Sequence, residues 1–217
     1  AAISPLVKNG TGTLTLTGVT PYSGDTTIQA GQFTVFSSGS LSNSAVTLNA
    51  GALMNMHVES NDDQWACKSL ILAGNTATVR LHFYGALPSQ TLAPILVQGD
   101  FINQATFNMM VDGVIVNAGS SYPLIHYTGA FTGSGTLGSV TLPNGGVGSL
   151  VHNAETKTIE LSVTTAVAPL VWNGNSGAWD VGVTANWTGL RSTYAEGDLV
   201  LFDDTTSGAG PLTVTLL

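Results

Sequence analysis

Short runs of alternating apolar and polar residues, separated by glycines, are the feature that most limits what this chain can fold into. In the run from Gly12 to Thr17, Leu14 and Leu16 stand between threonines, so one face of the segment is apolar. A period of two predicts a half-buried β-strand, because successive side chains of a strand point to opposite faces. Helical spacing of apolar residues does not persist for three turns in any segment. The sequence therefore predicts an all-β fold.

Further runs with the same alternation are bounded by turn-forming residues. Asn-Gly or Asp-Gly dipeptides, which are strong turn signals, occur at 9–10, 112–113, 144–145 and 173–174. Many short strands with regular turns permit a β-sandwich, a β-barrel or a β-solenoid. The runs predicted as strands are 45–48, 76–83, 95–97, 114–116, 124–127, 158–163 and 199–202.

The close spacing of such units near the start of the chain favours a parallel β-solenoid, or β-helix. Each unit is a turn, a short strand and a glycine corner, as in 24–28 and 31–35. In a solenoid each coil covers the core of its neighbours. At about 20 to 25 residues per coil, the chain would form about nine or ten coils. The residues predicted to fill the core are Leu14, Leu16, Ile28 and Val35, and those predicted at corners are Gly12, Gly24 and Gly31.

The charge balance excludes several kinds of partner. Five lysines and arginines face thirteen acidic residues, for a formal net charge of −8. Nucleic acids and anionic membrane surfaces are bound by basic faces, so neither is an expected partner. The longest apolar runs, such as 92–97, are far shorter than the roughly 18 residues of a membrane-spanning helix. No membrane insertion is expected of this segment.

The run 6–18, followed by 21–31, resembles the autotransporter-associated β-strand repeat, the passenger-associated transport repeat of large bacterial surface proteins. The family pattern has a Lys-x-Gly-x-Gly opening, a Leu-Thr-Leu strand, a Tyr-Ser-Gly turn and a Thr-Thr-Ile strand ending in Ala-Gly. This chain departs from it at Gln32 and Phe33, where a small apolar pair is usual. The resemblance covers residues 6–53 and implies an extracellular or bacterial cell-surface location.

Two later stretches are similar to other parts of the same proteins. Residues 121–163 look like the region downstream of the repeat, and residues 172–204 look like the aromatic module that separates repeats. We therefore expect a β-solenoid region at 1–165 and a β-rich aromatic module at 166–217 that leads into a next repeat unit. This order suggests one period of a tandem array, or one subunit of a head-to-tail stack.

The aromatic residues of the second region permit three interpretations. They can pack a small β core, form a platform for sugar rings, or lie at a joint between copies, since interfaces favour tryptophan and tyrosine. The residues predicted as interface or glycan contacts are Trp172, Trp179, Trp187 and Tyr194.

Residue types that carry chemistry are sparse and scattered in the sequence. The adjacent pairs Asp62-Asp63 and Asp203-Asp204 point to opposite faces if they lie in strands, so we interpret them as solvated turn residues, with Ca²⁺ binding as the alternative. Cys67 is expected to be a buried hydrophobe, with an intermolecular bridge as the alternative. His57, His82, His126 and His152 show no metal-ligand spacing. We expect no cofactor and no enzymatic activity.

The sequence thus predicts a structural repeat unit of a secreted or cell-surface bacterial filament or passenger stalk. Its main partner is expected to be itself, through head-to-tail stacking or tandem repeats. A glycan- or surface-binding adhesin module is the alternative. A polysaccharide-active enzyme is a weaker one, based on Glu59, Asp62 and Asp63 near one coil.

Overall fold

A computed structural model describes residues 4–86, 88–174, 177–203 and 213–217. These residues form 21 β-strands and contain no helix, which confirms the predicted all-β class. The strands before residue 100 are β1 Leu6–Lys8, β2 Thr13–Leu16, β3 Thr26–Ile28, β4 Gly31–Phe36, β5 Ser40–Leu48, β6 Ala52–His57, β7 Trp65–Leu72, β8 Thr76–Ala86 and β9 Ile95–Val97. The later ones are β10 Phe101–Asn103, β11 Thr106–Val114, β12 Ser121–Tyr127, β13 Phe131–Thr132, β14 Thr136–Thr141, β15 Val147–Asn153, β16 Thr158–Thr165, β17 Leu170–Trp172, β18 Ala178–Trp179, β19 Trp187–Thr188, β20 Val200–Leu201 and β21 Thr215–Leu216.

Most of the chain passes back and forth between two sheets. The six-stranded sheet has the order β14-β11-β8-β6-β4-β2, and all its pairings are parallel. The ten-stranded sheet has the order β1-β3-β5-β7-β9-β12-β16-β15, with β10 and β13 beside that path. From β1 to β8 consecutive strands alternate between the sheets, so each strand pairs with the one formed a full pass later. This parallel order is compatible with a β-helix.

The register places one side chain of each pass in line with that of the next. In the six-stranded sheet such a column contains Leu14, Phe33, Met54, Val79, Met109 and Val140. The spacing along the chain grows from 19 residues between the first two members to 31 between the last two. The sheet therefore has six passes rather than the predicted nine or ten, because the described residues after β14 add no strand to it and because the later passes are longer.

The core follows these columns through both sheets. Ile28 and Val35, two of the residues predicted to fill it, are 0 % exposed. Leu14 and Leu16 are half-buried and pack against the same cluster. Their strand β2 pairs with β4 alone among the described strands, so these two side chains are covered from one side.

Along the main path of the ten-stranded sheet, the parallel order ends at β12, where a β-hairpin follows. β12 pairs in parallel with β9 but antiparallel with β16, which in turn pairs antiparallel with β15. The predicted strand at 158–163 is present, but it lies in this hairpin instead of in a further parallel pass. The antiparallel turn between β15 and β16 is tightened by Lys157 in the left-handed region, with φ of 54°.

Residues beyond the hairpin form a second, smaller cluster. Leu170, Trp172 and Trp187 are its buried members, and β17 lies between β19 and β20 in a three-stranded sheet. β18 pairs with β21 in a separate two-stranded sheet. The boundary at 165/166 stays a prediction. Asp204, half of one predicted acidic pair, lies outside the described residues.

Candidate functional site

The first pass presents a strand edge with apolar side chains beside it. The backbone N–H of Gln32 donates to the carbonyl oxygen of Gly12 at 3.2 Å. In a parallel pair the residues of one strand face the partner strand alternately. The backbone groups of Leu14 and Leu16 therefore face β4, and those of Thr13 and Thr15 face the open edge.

Side chains and glycines fix the shape of this first pass. The Lys8 ammonium donates to the carbonyl oxygens of Gly10 at 2.8 Å and of Ala30 at 3.1 Å, tying two passes together. Gly31 has a φ of +75°, and a Cβ there would lie 2.5 Å from the carbonyl oxygens of Gly10 and Gly12. Glycine is needed at that corner because both the backbone conformation and the space forbid a side chain.

The other two predicted corner glycines differ from each other. Gly24 is buried, and a Cβ there would overlap the Tyr22 ring and the carbonyl oxygen of Ser4. The Tyr22 hydroxyl donates to that same oxygen at 2.5 Å. Gly12 has no atom within 4 Å of the position that a Cβ would take. Space therefore demands glycine at 24 and 31 and leaves room for a side chain at 12.

The last parallel strands present a similar edge at the other end of the stack. β13 pairs with β10, and β14 pairs with β11, each on one side among the described strands. Their inward side chains are partly buried against the core, as Leu14 and Leu16 are. These side chains are Phe131, Leu137 and Val140, followed by Leu142 just after β14.

The four aromatic residues predicted as contacts separate into two pairs. Trp172 and Trp187 are 1 % and 2 % exposed and pack edge to face, with ring centroids 5.0 Å apart. Trp179 and Tyr194 are half-buried and line a shallow depression of about 200 Å³. Burial, followed by the charges of Glu196 and Asp198, raises the pKa of Tyr194. Only the second pair is reachable from solvent without rearrangement of the small core.

A groove that the sequence did not reveal lies on the outer side of β9, β12 and β16. Its volume is about 780 Å³, and one wall is the loop before β9. We call it the lateral groove; its lining residues are Gln64, Gln90, Thr91, Leu92, Ala93, Leu96, Ser121, Pro123, His126, Thr128, Thr156, Thr158 and Glu160. They come from four separate segments, so no local motif could have indicated the groove.

Glu160 anchors the hairpin wall of the lateral groove. Its carboxylate accepts hydrogen bonds from the hydroxyls of Ser121 and Thr158 at 2.7 Å each, from the amide of Asn153 at 2.9 Å and from Thr156 at 3.3 Å. Burial opposes ionisation of this group, but the hydrogen bonds outweigh it and lower the pKa of Glu160. Glu160 therefore acts as an ionised acceptor.

Two histidines that are far apart in sequence meet on the outer face of the six-stranded sheet. His57 and His82 are register partners, with ring centroids 5.6 Å apart. The Asn55 amide donates to Nε2 of His57, which requires a neutral ring, and Tyr84 hydrogen-bonds to its Nδ1. Their separation of 25 residues equals one pass, and that spacing is the signal that could have indicated the pair.

Electrostatics keep His57 neutral. Burial is the main cause that lowers the pKa of His57, followed by the charges of His82 and Arg80. Asp112 lies beyond His82 and accepts a hydrogen bond from Arg80 at 2.6 Å, as well as one from His82. Among the described residues, no group of three or more His, Cys, Asp or Glu side chains is arranged to hold a metal ion.

Cys67 and the first acidic pair have ordinary surroundings. Cys67 is a free cysteine and is fully buried, and burial raises the pKa of its thiol. Asp62 and Asp63 lie in the turn before β7, where the Asp62 N–H bonds to the Ser60 hydroxyl at 3.2 Å.

Comparisons with known proteins match part of the chain to a family model. The family model of the passenger-associated-transport-repeat matches residues 6–35. Neither the curated proteins nor the solved structures contain a significant match to the chain. In the part of the chain that the structure describes, no helix has the length and hydrophobicity required to cross a membrane. Residues 6–35 thus carry a passenger-associated transport repeat, as their resemblance indicates, and a repeat of this kind implies a secreted or surface protein.

Proposed function

We propose that this chain is a β-solenoid unit of a bacterial cell-surface filament or passenger stalk, and that its work is mechanical. The observation that carries the proposal is the alignment of parallel strands over six passes, with a passenger-associated repeat at the first two. Stacked passes that share one core make a stiff rod, because each pass is held by both neighbours.

The side-chain columns give this rod a continuous apolar interior. Phe33, Met54 and Val79 are each 0 % exposed and lie in consecutive positions of one column. Their strands are paired on both sides. Bending the rod would therefore both break hydrogen bonds between strands and expose the apolar core. The charged fraction of only 8 % suits close packing of such units, because few charges must be desolvated.

Head-to-tail stacking is the second part of the proposal. The first and last strands of the six-stranded sheet, β2 and β14, each pair on one side only among the described strands, and their inward side chains are half-buried. If β2 of one copy follows β14 of the preceding copy, Leu14 takes the next position of the column after Val140. Such a joint would cover both sets of side chains and pair both edges, which removes an aggregation-prone exposure.

The hairpin limits which strands take part in the joint. β16 already occupies the free edge of β12, so that part of the ten-stranded sheet is closed to a following copy. β13 and β14 each keep one side without a partner strand among the described residues. The Phe131 ring of β13 packs against the His152 ring of β15, with ring centroids 4.4 Å apart, whereas Val140 of β14 is half-buried beside the unpaired edge. The proposed joint therefore relies on the β14 edge of one copy and the β2 edge of the next.

Electron microscopy of negatively stained protein, together with sedimentation velocity over a range of concentrations, tests the proposal. We expect rods that lengthen with concentration. Thr15→Pro removes the N–H at the open edge without touching the side that pairs with β4, and it should leave short, monomeric particles. Thr15→Ala keeps that N–H and is the matched control. Particles that stay monomeric for the unaltered chain, or that assemble equally with the proline variant, would contradict head-to-tail stacking.

A further inference from the structure

The lateral groove has the dimensions of a binding site for a ligand of several rings. Its volume of about 780 Å³ lies within the range of about 300 to 1,000 Å³ that is usual for ligand pockets. The three strands beneath it, β9, β12 and β16, are each paired on both sides. A peptide cannot join them as an added strand, so a ligand must be recognised by side chains.

The groove combines apolar surface with neutral polar groups. Leu92 and Leu96 are half-buried and supply apolar area, and His126 lies next to Leu96 in the register. No described residue hydrogen-bonds to the His126 ring or to the Gln90 amide. Gln64 donates its amide to the carbonyl oxygen of Ala93 at 2.7 Å, which leaves its own carbonyl oxygen for a ligand. Apolar patches beside neutral donors and acceptors complement a pyranose ring, which has apolar C–H faces and hydroxyl edges.

Charge favours a neutral ligand. Glu160 is the carboxylate of the groove, and the whole chain carries a formal charge of −8, so an anionic ligand would be repelled. The oxygens of Glu160 already accept four hydrogen bonds from the protein, so they are not offered to a cationic ligand.

We propose that the lateral groove binds a neutral oligosaccharide, with Leu92 and Leu96 against sugar rings and with Gln64, Gln90 and His126 bonded to hydroxyl groups. This role is independent of head-to-tail stacking. It would make the unit adhesive along its side, at a surface other than the aromatic residues predicted for sugar binding.

Isothermal titration calorimetry of the intact chain tests this, with chitohexaose, cellohexaose and maltohexaose as neutral probes. An oligogalacturonate and a proline-rich peptide serve as anionic and peptide probes. We expect at least one neutral probe to bind, and Gln90→Ala and His126→Ala each to weaken it about three- to tenfold, the loss of one or two hydrogen bonds. Gln29→Ala, an exposed glutamine outside the groove, is the matched control and should change nothing.

Several results would overturn the proposal. One is that no neutral probe binds up to about 5 mM, a concentration above the range of ordinary weak recognition. Another is that only the anionic or the peptide probe binds. A third is that both groove variants bind as tightly as the unaltered chain while Trp179→Ala does not, which would place the site in the terminal module. Side-chain amide signals of Gln64 and Gln90 in NMR spectra should shift on binding if the groove is the site.

Discussion

The stacked strands of residues 6–141 and the terminal module of residues 170–203 bury their apolar side chains in different ways. Along the stack, equivalent side chains of successive passes lie in register, and the interior positions are fully buried. In the module the strands are two or three residues long, and the core consists of rings packed edge to face, chiefly Trp172 against Trp187.

The two ways of packing predict which substitutions should destabilise each region most. The stack spreads its stability over many similar contacts, and each pass depends mainly on its nearest neighbours. Removing one core side chain should therefore lower the free energy of unfolding most in the middle of the stack and least at an end. The module concentrates its stability in a few rings, so the loss of one ring should affect all of it.

The largest effect is expected for Trp187→Ala. The Trp187 ring contacts Trp172, Trp179 and Tyr194, and replacing a buried tryptophan by alanine costs about 3–5 kcal/mol. Hydrogen exchange should show lost protection at β17 and β19 while β4 and β6 keep theirs. Val183→Ala, at a site 78 % exposed in the same module, is the control. Equal loss of protection in both regions would show that they unfold as one unit.

The free energy of unfolding that is lost when a side chain in the stack is shortened should depend on the position of that side chain within its column. Met54→Ala removes a side chain that is 0 % exposed, and we expect a loss of about 2–5 kcal/mol in the free energy of unfolding. Leu14→Ala acts at the half-buried end of the same column and should cost about 1 kcal/mol. Urea unfolding of dilute protein measures both. Similar losses for the two variants would contradict the idea that the end of the stack is less well covered.

Substitutions at two of the predicted corner glycines, Gly31 and Gly12, provide a second matched pair of variants. Gly31→Ala forces a Cβ into a left-handed conformation and against two carbonyl oxygens, so it should destabilise the chain by about 2–3 kcal/mol. Gly12→Ala meets no neighbour and should change the free energy of unfolding by less than about 0.5 kcal/mol. Urea unfolding distinguishes them, and a large loss at Gly12 would mean that its role is other than steric.

The smallest effect is a pH dependence from His57. Its folded-state pKa is lowered below the ordinary 6.5, mainly by burial, so the unfolded chain binds a proton more readily in the window just below 6.5. Stability should fall as the pH decreases through that window and level off below the folded pKa. Glu59, Arg80, His82, Tyr84 and Asp112 are the titratable and charged groups that face this ring.

Urea midpoints at about pH 7.5 and about pH 5.5 measure this dependence. His57→Gln should reduce the difference between the two midpoints, because it removes the group whose pKa is lowered. His126→Gln, which removes a histidine elsewhere and leaves His57 and its partners unchanged, serves as the control. An unchanged difference in the glutamine variant would assign the pH dependence to other groups.

The sequence predicted local structure better than long-range arrangement. Alternation identified β2 and the strand containing Val35, because the side-chain period of two is a local property. It did not identify the β15–β16 hairpin, since antiparallel and parallel strands share that period. The lateral groove joins Gln64, Gln90, His126 and Glu160, which only the register brings together. Predicting that His57 pairs with His82 would have required the number of residues per pass, which varies along the chain.

Disulfide trapping of the joint tests the central claim most directly. In the proposed stack Thr15 of one copy follows Thr141 of the preceding copy in the column that also contains Met110. Neighbouring strands lie about 4.8 Å apart, within the Cα separation that a disulfide accepts. Both threonines are exposed, and Cys67 is buried, so it does not compete.

Under oxidising conditions, we expect the double variant Thr15→Cys/Thr141→Cys to give a ladder of linked multimers on a non-reducing gel. Either single variant should remain monomeric on the same gel. A ladder absent from the double variant at concentrations where rods form, or dimers of the Thr15→Cys variant alone, would contradict head-to-tail continuation of the strands.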